Sequence, residues 1–282
     1  MITLCLFGIY SIIIYFKVNV IITNKCIQFT GDIMSGNMYA FLLSTIAGIS
    51  TLIGFLFIFI KKDRESVISK ALGFASGVML TISVIDLVPN SFLLIIKQYN
   101  LIYALFLIIM GFLIGVIISS VIDKKVEKKS KNGLKLYKLG IITMLVIMLH
   151  NIPEGIATFI TTTNNINLGI MLTTAIALHN IPEGISISIP IYYSTNNKFK
   201  AFLYTLISGM SEPLGALISY LFLSRFVNDT ILGIIYSIIA GMMINISINE
   251  LYKEAIDYNK KNTIIYFIIG SFIMILNHLL FS

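Results

Sequence analysis

His150-Asn151-Ile152-Pro153-Glu154-Gly155 and His179-Asn180-Ile181-Pro182-Glu183-Gly184 are the same hexapeptide, written twice in strongly apolar surroundings. The copies begin 29 residues apart, about one membrane crossing plus a short loop. Each carries a histidine and a glutamate four residues apart, so both side chains leave one face of a helix. Ionisable groups at membrane depth are costly and mark substrate or ion paths. Two identical sets on successive helices therefore point to a site for metal cations inside a bilayer.

Composition supports the bilayer. Hydrophobic residues make up 57% of the 282 and charged residues only 12%, against about a quarter charged in soluble domains. Mean hydropathy is +0.93. Apolar runs of crossing length fall at 38–60, 67–88, 101–122, 139–162, 168–193, 200–222, 230–252 and 263–280. The expected fold class is all-α: a polytopic membrane protein with eight transmembrane helices in one domain, 38–282. The only long polar connection is expected near 123–138.

The net charge of +7 invites a nucleic-acid partner, but its placement argues against one. Lys61, Lys62, Arg64 and Lys70 flank the first connection. The third holds Lys124, Lys125, Lys128, Lys129, Lys131, Lys135 and Lys138; the fifth holds Lys198 and Lys200; the seventh holds Lys253, Lys260 and Lys261. The even connections carry only Lys97 and Arg225. Basic residues on alternate loops follow the positive-inside rule, which puts the odd loops in the cytoplasm and both ends of the eight-helix unit outside. Residues 1–37 form an apolar run from Ile2 to Phe16 and then a polar stretch, without the basic start and small-residue cleavage site of a signal peptide. The segment reads as an extra N-terminal helix, a poor signal peptide, or sequence upstream of a true start at Met34 or Met38, with the extra helix favoured. Cys5 and Cys26, the only cysteines, both lie in that segment, so neither a disulfide framework nor a thiolate metal site is supported.

Deep in the spans the acids are Asp86, Glu154, Glu183, Glu212 and Glu250 and the histidines His150, His179 and His278, with no lysine or arginine beside them. A carboxylate at mid-membrane costs about 3 kcal/mol, so Glu154, Glu183 and Glu212 need roughly 9 kcal/mol of compensation together. Protonation, hydration or a cation from outside must supply it. On a helix, residues 150 and 154 are separated by about 40° and Asn151 lies within about 60° of Glu154, so histidine, asparagine and glutamate converge. Pro153 and Pro182 release the carbonyls of Leu149 and Leu178 and bend their helices. Gly155 and Gly184 let a neighbouring helix approach closely. A lone His-x-x-x-Glu is as readily a hydrogen-bonded pair filling a helix interface; two copies plus Glu212-Pro213 favour ligands.

Other positions keep two readings each. Met79, in the small-residue run Gly73, Ala75, Ser76, Gly77, is a core methionine or a ligand. Asp86 with Asn90 is an entrance site or a helix-end carboxylate in water. Glu250 beside Asn249 is an exit ligand or a partner for Lys253. His278 reads as a solvated or capping histidine. Ser44, Ala47 and Gly48 of the first span and Ser208, Gly209 and Gly215 of the sixth give a faint inverted repeat around the central pair.

Residues 38–282 resemble the ZIP (Zrt/Irt-like) family of divalent metal transporters, its bacterial branch above all. The resemblance is carried by the paired hexapeptides, by Ser211-Glu212-Pro213-Leu214-Gly215 and by the run from Gly73 to Asp86. It implies eight helices with both ends outside, a two-metal centre, import into the cytoplasm across the cell membrane, and a homodimer. By position it implies a first metal on Met79, His150, Glu154, His179 and Glu183. A second would sit on Asn151, Glu154, Asn180, Glu183 and Glu212. It places Asp86 at the entrance and Asn249 with Glu250 at the exit, and implies an elevator-like shift of the first, fourth, fifth and sixth helices against a dimerising scaffold. Two departures stand out: the third connection is lysine-rich rather than histidine-rich, and Asn249 stands where some relatives have histidine. Histidine, asparagine and carboxylate ligands without cysteine suit borderline dications, so zinc is expected first, with Fe(II), Mn(II), Co(II) and Cd(II) also admitted. No cofactor is expected beyond the transported cations, and no nucleic-acid partner. The rival classes are a metal-selective channel and an intramembrane zinc-dependent hydrolase. A zinc protease of the latter kind would need His-Glu-x-x-His, which the sequence lacks.

Overall fold

Asn165, Asn197 and Asn228 each precede an apolar run, and each side-chain oxygen accepts a hydrogen bond from the backbone N–H three residues on, at Leu168, Lys200 and Ile231. Asp63 does the same for Ser66. These are N-caps, satisfying donors that a helix start leaves open. They set where helices begin in the computed structural model, which describes residues 36–60, 63–129, 135–223 and 228–281. The expected N-terminal helix at 1–37, and both cysteines, fall almost wholly outside these residues.

Helix α1 (Gly36–Phe55) runs into a 3₁₀ turn at Leu56–Phe59. Helix α2 (Arg64–Ile82) passes through a π turn, Ser83–Leu87, into α3 (Val88–Ile96). Pro89 follows that turn, and a residue without an N–H is where an extra carbonyl must be absorbed. Next come α4 (Leu101–Lys129), α5 (Lys135–Asn164) and α6 (Ile166–Thr195). Neither Pro153 nor Pro182 ends its helix. Helices α7 (Lys198–Gly209) and α8 (Ser211–Ile218) meet at Met210, just ahead of Glu212-Pro213, and a π turn follows at Ser219–Leu223. Helix α9 (Asp229–Ile246) continues through a π turn, Ser247–Tyr252, into α10 (Lys253–Phe281). Asn259, extended at φ −162° and ψ 101°, breaks α10 near its start. The described residues contain no strand.

Several helices, α4, α5, α6 and α10 among them, outrun their apolar spans because hydropathy stops at the first polar residue whereas backbone hydrogen bonding does not. The connection expected near 123–138 is therefore mostly helical: α4 runs to Lys129 and α5 starts at Lys135. Among the described residues, six stretches are long and apolar enough to cross a membrane: Gly36–Phe59, Arg64–Ile96, Leu101–Lys124, Lys135–Asn164, Lys198–Leu221 and Asp229–Leu280. The described residues are thus all-helical, with the apolar stretches of a multi-pass membrane protein.

Two groups of helices pack side by side. In the first, α1 lies against α5, α6, α7 and α8, and α5 against α6 and α8. In the second, α2 pairs with α10, and α9 with α3 and α4. Close backbone approach builds the first group. A Cβ on Gly155 would overlap the Glu212 carbonyl oxygen, and one on Gly184 the Thr51 carbonyl oxygen. The two hexapeptide glycines are thus where α5 meets α8 and α6 meets α1, as small residues permit. Gly48 and Gly209, from the faint repeat, face one another in the same manner. The main hydrophobic cluster lies across the seam, joining Val78 and Met79 of α2 to Val146 and Ile147 of α5 and Met243 of α9.

Candidate metal centre

Helical periodicity turns His150, Asn151 and Glu154 inward from α5 and His179, Asn180 and Glu183 inward from α6; all six are buried. Glu212 joins them from the first turn of α8, fully buried. Glu154 is the hub. Its Oε1 lies 3.0 Å from His179 Nε2, a hydrogen bond across the two helices, and 3.2 Å from His150 Nε2 on its own helix. His150 Nε2 is also 3.5 Å from Glu183 Oε1. Ligand atoms of His150, Glu154 and His179 all fall within 4.8 Å of one another, a spacing one ion can span.

A second cluster adjoins the first. Asn180 Nδ2 donates to Glu212 Oε2 at 2.9 Å and to the Ala47 carbonyl at 2.9 Å. Asn151 Nδ2 makes a longer bond, 3.4 Å, to the Ser208 carbonyl. What is left over defines the chemistry. Glu154 Oε2, both oxygens of Glu183, Glu212 Oε1, Asn151 Oδ1, Asn180 Oδ1 and both ring nitrogens of His150 are buried without a hydrogen-bond partner among the described residues. Buried polar atoms are ordinarily satisfied, and each exception demands a reason. Here the orphans are nearly all lone-pair donors, gathered in one place, and four of them are oxygens of three carboxylates. That is the electronic complement of a cation.

Met79 is fully buried in α2, within the apolar cluster that spans the seam. Asp86 stands in the π turn after α2, half-buried, where Asn90 Nδ2 donates to its Oδ1 at 2.9 Å. A cavity of about 350 Å³ connects this residue with the centre, lined by Asp86, Asn90, Tyr236 and His278 and by Glu154 and His179. His278 Nδ1 is 3.8 Å from Asp86 Oδ1. His278, read from the sequence as a solvated or capping residue, is part-exposed in the last turn of α10, and the fold also sets it opposite Asp86 in the cavity lining. No local signal announces this, because the two residues meet only through the α2–α10 pairing. Asn249 is exposed and donates to Asn245 Oδ1 at 2.8 Å, while Glu250 is half-buried. Neither belongs to the His150, Glu154 and His179 group.

Fold and centre together define a class: a multi-pass membrane protein with a buried, carboxylate-rich cluster whose spacing could hold a cation. The comparisons refine it. The model of the family described as ZIP zinc transporter matches residues 122–278. A zinc transporter ZupT from Streptococcus mutans is 38% identical, the match covering 88% of this chain and 100% of the relative. Relatives of the same name from Clostridium perfringens and Campylobacter jejuni are each 38% identical, covering 89% and 82% of this chain and 99% and 92% of their own. The chain belongs to the ZIP zinc transporter family. It is a transporter rather than an enzyme.

Proposed function

We propose that this protein is a secondary transporter that brings divalent transition-metal cations, zinc foremost and Fe(II) and Mn(II) among those admitted, into the cytoplasm through a two-metal centre at mid-membrane. The observation that carries this reading is the group of buried, unpartnered carboxylate and imidazole atoms around Glu154, with a cavity leading to it past Asp86. Among the described residues, no lysine or arginine pairs with Glu154, Glu183 or Glu212; histidines and an asparagine meet them. A visiting dication offsets the charge that burial makes costly. The relatives' printed name supports zinc as the first choice.

In this scheme the first metal is held by Met79, His150, Glu154, His179 and Glu183. The second is held by Asn151, Glu154, Asn180, Glu183 and Glu212, with the glutamates bridging. Asp86, with His278 opposite, collects ions from outside; Asn249 and Glu250 serve the inner exit. Crossings number eight: the six apolar stretches, plus α6, with Asp229–Leu280 counted twice. Helix α6 runs 30 residues, and its His, Asn, Pro and Glu dilute an otherwise apolar run. The 52-residue stretch Asp229–Leu280 is too long for one crossing, and Asn259 divides it. The protein works in the cell membrane as a homodimer, with both ends of the eight-helix unit outside.

Radiozinc uptake into reconstituted vesicles tests the proposal. Glu154→Ala and His150→Ala each abolish uptake while the protein remains folded in the membrane; normal uptake by both overturns it. Saturable uptake with counter-flux identifies a carrier, and linear, unsaturable flux identifies a channel.

A further inference from the structure

The cavity reaches one side of the metal centre and stops there. Glu154 and His179 line it, whereas His150 and Glu183 do not. Both are buried. Thr143, seven residues before His150 and on the same face of α5, is fully buried, and its hydroxyl has no partner. The cavity thus opens on the Asp86 side, while on the side of the lysine-rich connection Glu183, His150 and Thr143 are buried.

Ion pairs bridge the two helix groups at the end near the lysine-rich connection. Lys135 Nζ lies 2.7 Å from Glu254 Oε2 and 2.7 Å from Asp257 Oδ2. Lys138 Nζ lies 2.7 Å from Asp123 Oδ1. Both lysines open α5, in the first group, while Asp123 lies in α4 and Glu254 and Asp257 in α10, all in the second. At the other end of the molecule the pair Lys97–Asp229, 2.9 Å, joins residues within the second group only. Among the described residues, lysine–carboxylate pairs cross the seam only at the end near the lysine-rich connection.

We propose that Lys135 and Lys138, with Asp123, Glu254 and Asp257, form an inner latch that holds the cytoplasmic face shut while the outer cavity is open, and that must part before metal leaves inward. The proposal rests on the transporter reading above. The Glu254 side chain is only 7% exposed, so while the face is closed it needs Lys135 to balance its charge. Lys135 itself is 67% exposed. Water can replace it as soon as the groups separate, and an exposed pair of this sort holds a position without locking it. A clasp that water can take over has two satisfied states, closed and open, which a gate requires.

The test uses the full chain in vesicles, with Cys5→Ser, Cys26→Ser and the reporter Thr143→Cys, probed with a membrane-impermeant maleimide from the cytoplasmic face. Lys135→Ala and Asp123→Asn each raise the labelling rate by about fivefold, the population shift expected from losing one such pair. Lys135→Arg keeps the parent rate, and so does Lys97→Ala, which removes the pair within one group. Glu254→Gln, nearly isosteric, replaces Lys135→Ala if that variant does not fold. Unchanged labelling in the latch variants overturns the proposal, as does an equal rise in Lys97→Ala. Radiozinc uptake by the parent is followed in parallel. Uptake with unchanged labelling removes only the latch, whereas absence of uptake removes the transporter reading.

Discussion

The two hexapeptides are identical in sequence, yet the fold gives them different work. In the α5 copy, His150 is sealed from the cavity while Glu154 lines it; in the α6 copy the roles reverse, with His179 lining it and Glu183 sealed behind. The exposed edge of the centre is thus one residue from each copy, and so is the hidden edge. Their glycines differ likewise: Gly155 admits the backbone of α8 and Gly184 that of α1. The asparagines diverge too, since Asn180 reaches both Glu212 and the Ala47 carbonyl, whereas Asn151 holds a single long bond. Identical local chemistry acquires distinct roles because each helix packs against a different neighbour.

The largest expected effect separates the two glutamates. Glu154 meets both histidines, Glu183 only His150 and at a longer distance. Glu154→Ala should lower zinc affinity by about 100-fold or more, beyond what the loss of an outer-shell partner usually costs. Glu183→Ala should lose less. Equilibrium dialysis of the purified protein checks this, and equal losses would erase the distinction between the copies.

Accessibility separates the histidines. In a background without Cys5 and Cys26, His179→Cys should react from outside about tenfold faster than His150→Cys, because a sealed thiol reacts only through transient opening. Comparable rates, measured with an impermeant reagent, would mean that the cavity passes the centre rather than ending at it.

The smallest difference concerns the asparagines. Asn180→Ala leaves a buried Glu212 oxygen and the Ala47 carbonyl each short of a donor and should destabilise the fold by about 1–3 kcal/mol. Asn151→Ala, giving up one 3.4 Å bond, should cost less than about 1 kcal/mol. Denaturation midpoints in detergent at fixed metal concentration decide the order, and a larger effect at Asn151 would reverse it.

Much of this was legible along the chain because it is local. A spacing of four places His150 and Glu154 on one helical face, and an apolar run of crossing length makes a helix whatever its neighbours. Asn165, Asn197 and Asn228 mark helix starts through bonds only three residues long. What the sequence left unread has the opposite character. His278 faces Asp86 across 192 positions of sequence, and Lys135 reaches Asp257 across 122. The π turn carrying Asp86 reflects how α2 accommodates Pro89, which hydropathy does not register. The polar stretch near 123–138 read as a loop because charge was taken to end a helix, but lysine is a good helix former in water.

Residue order alone decided that this chain belongs in a bilayer, that its acids lack basic companions at depth, and that histidine and glutamate recur in register. Those properties follow from composition and from the pitch of a helix. Tertiary packing decided which histidine looks into the cavity, which glutamate joins the copies, and where lysines clasp the second group. Such outcomes depend on which helix lies beside which, and pairwise contact between distant segments is not written in the periodicity of either one.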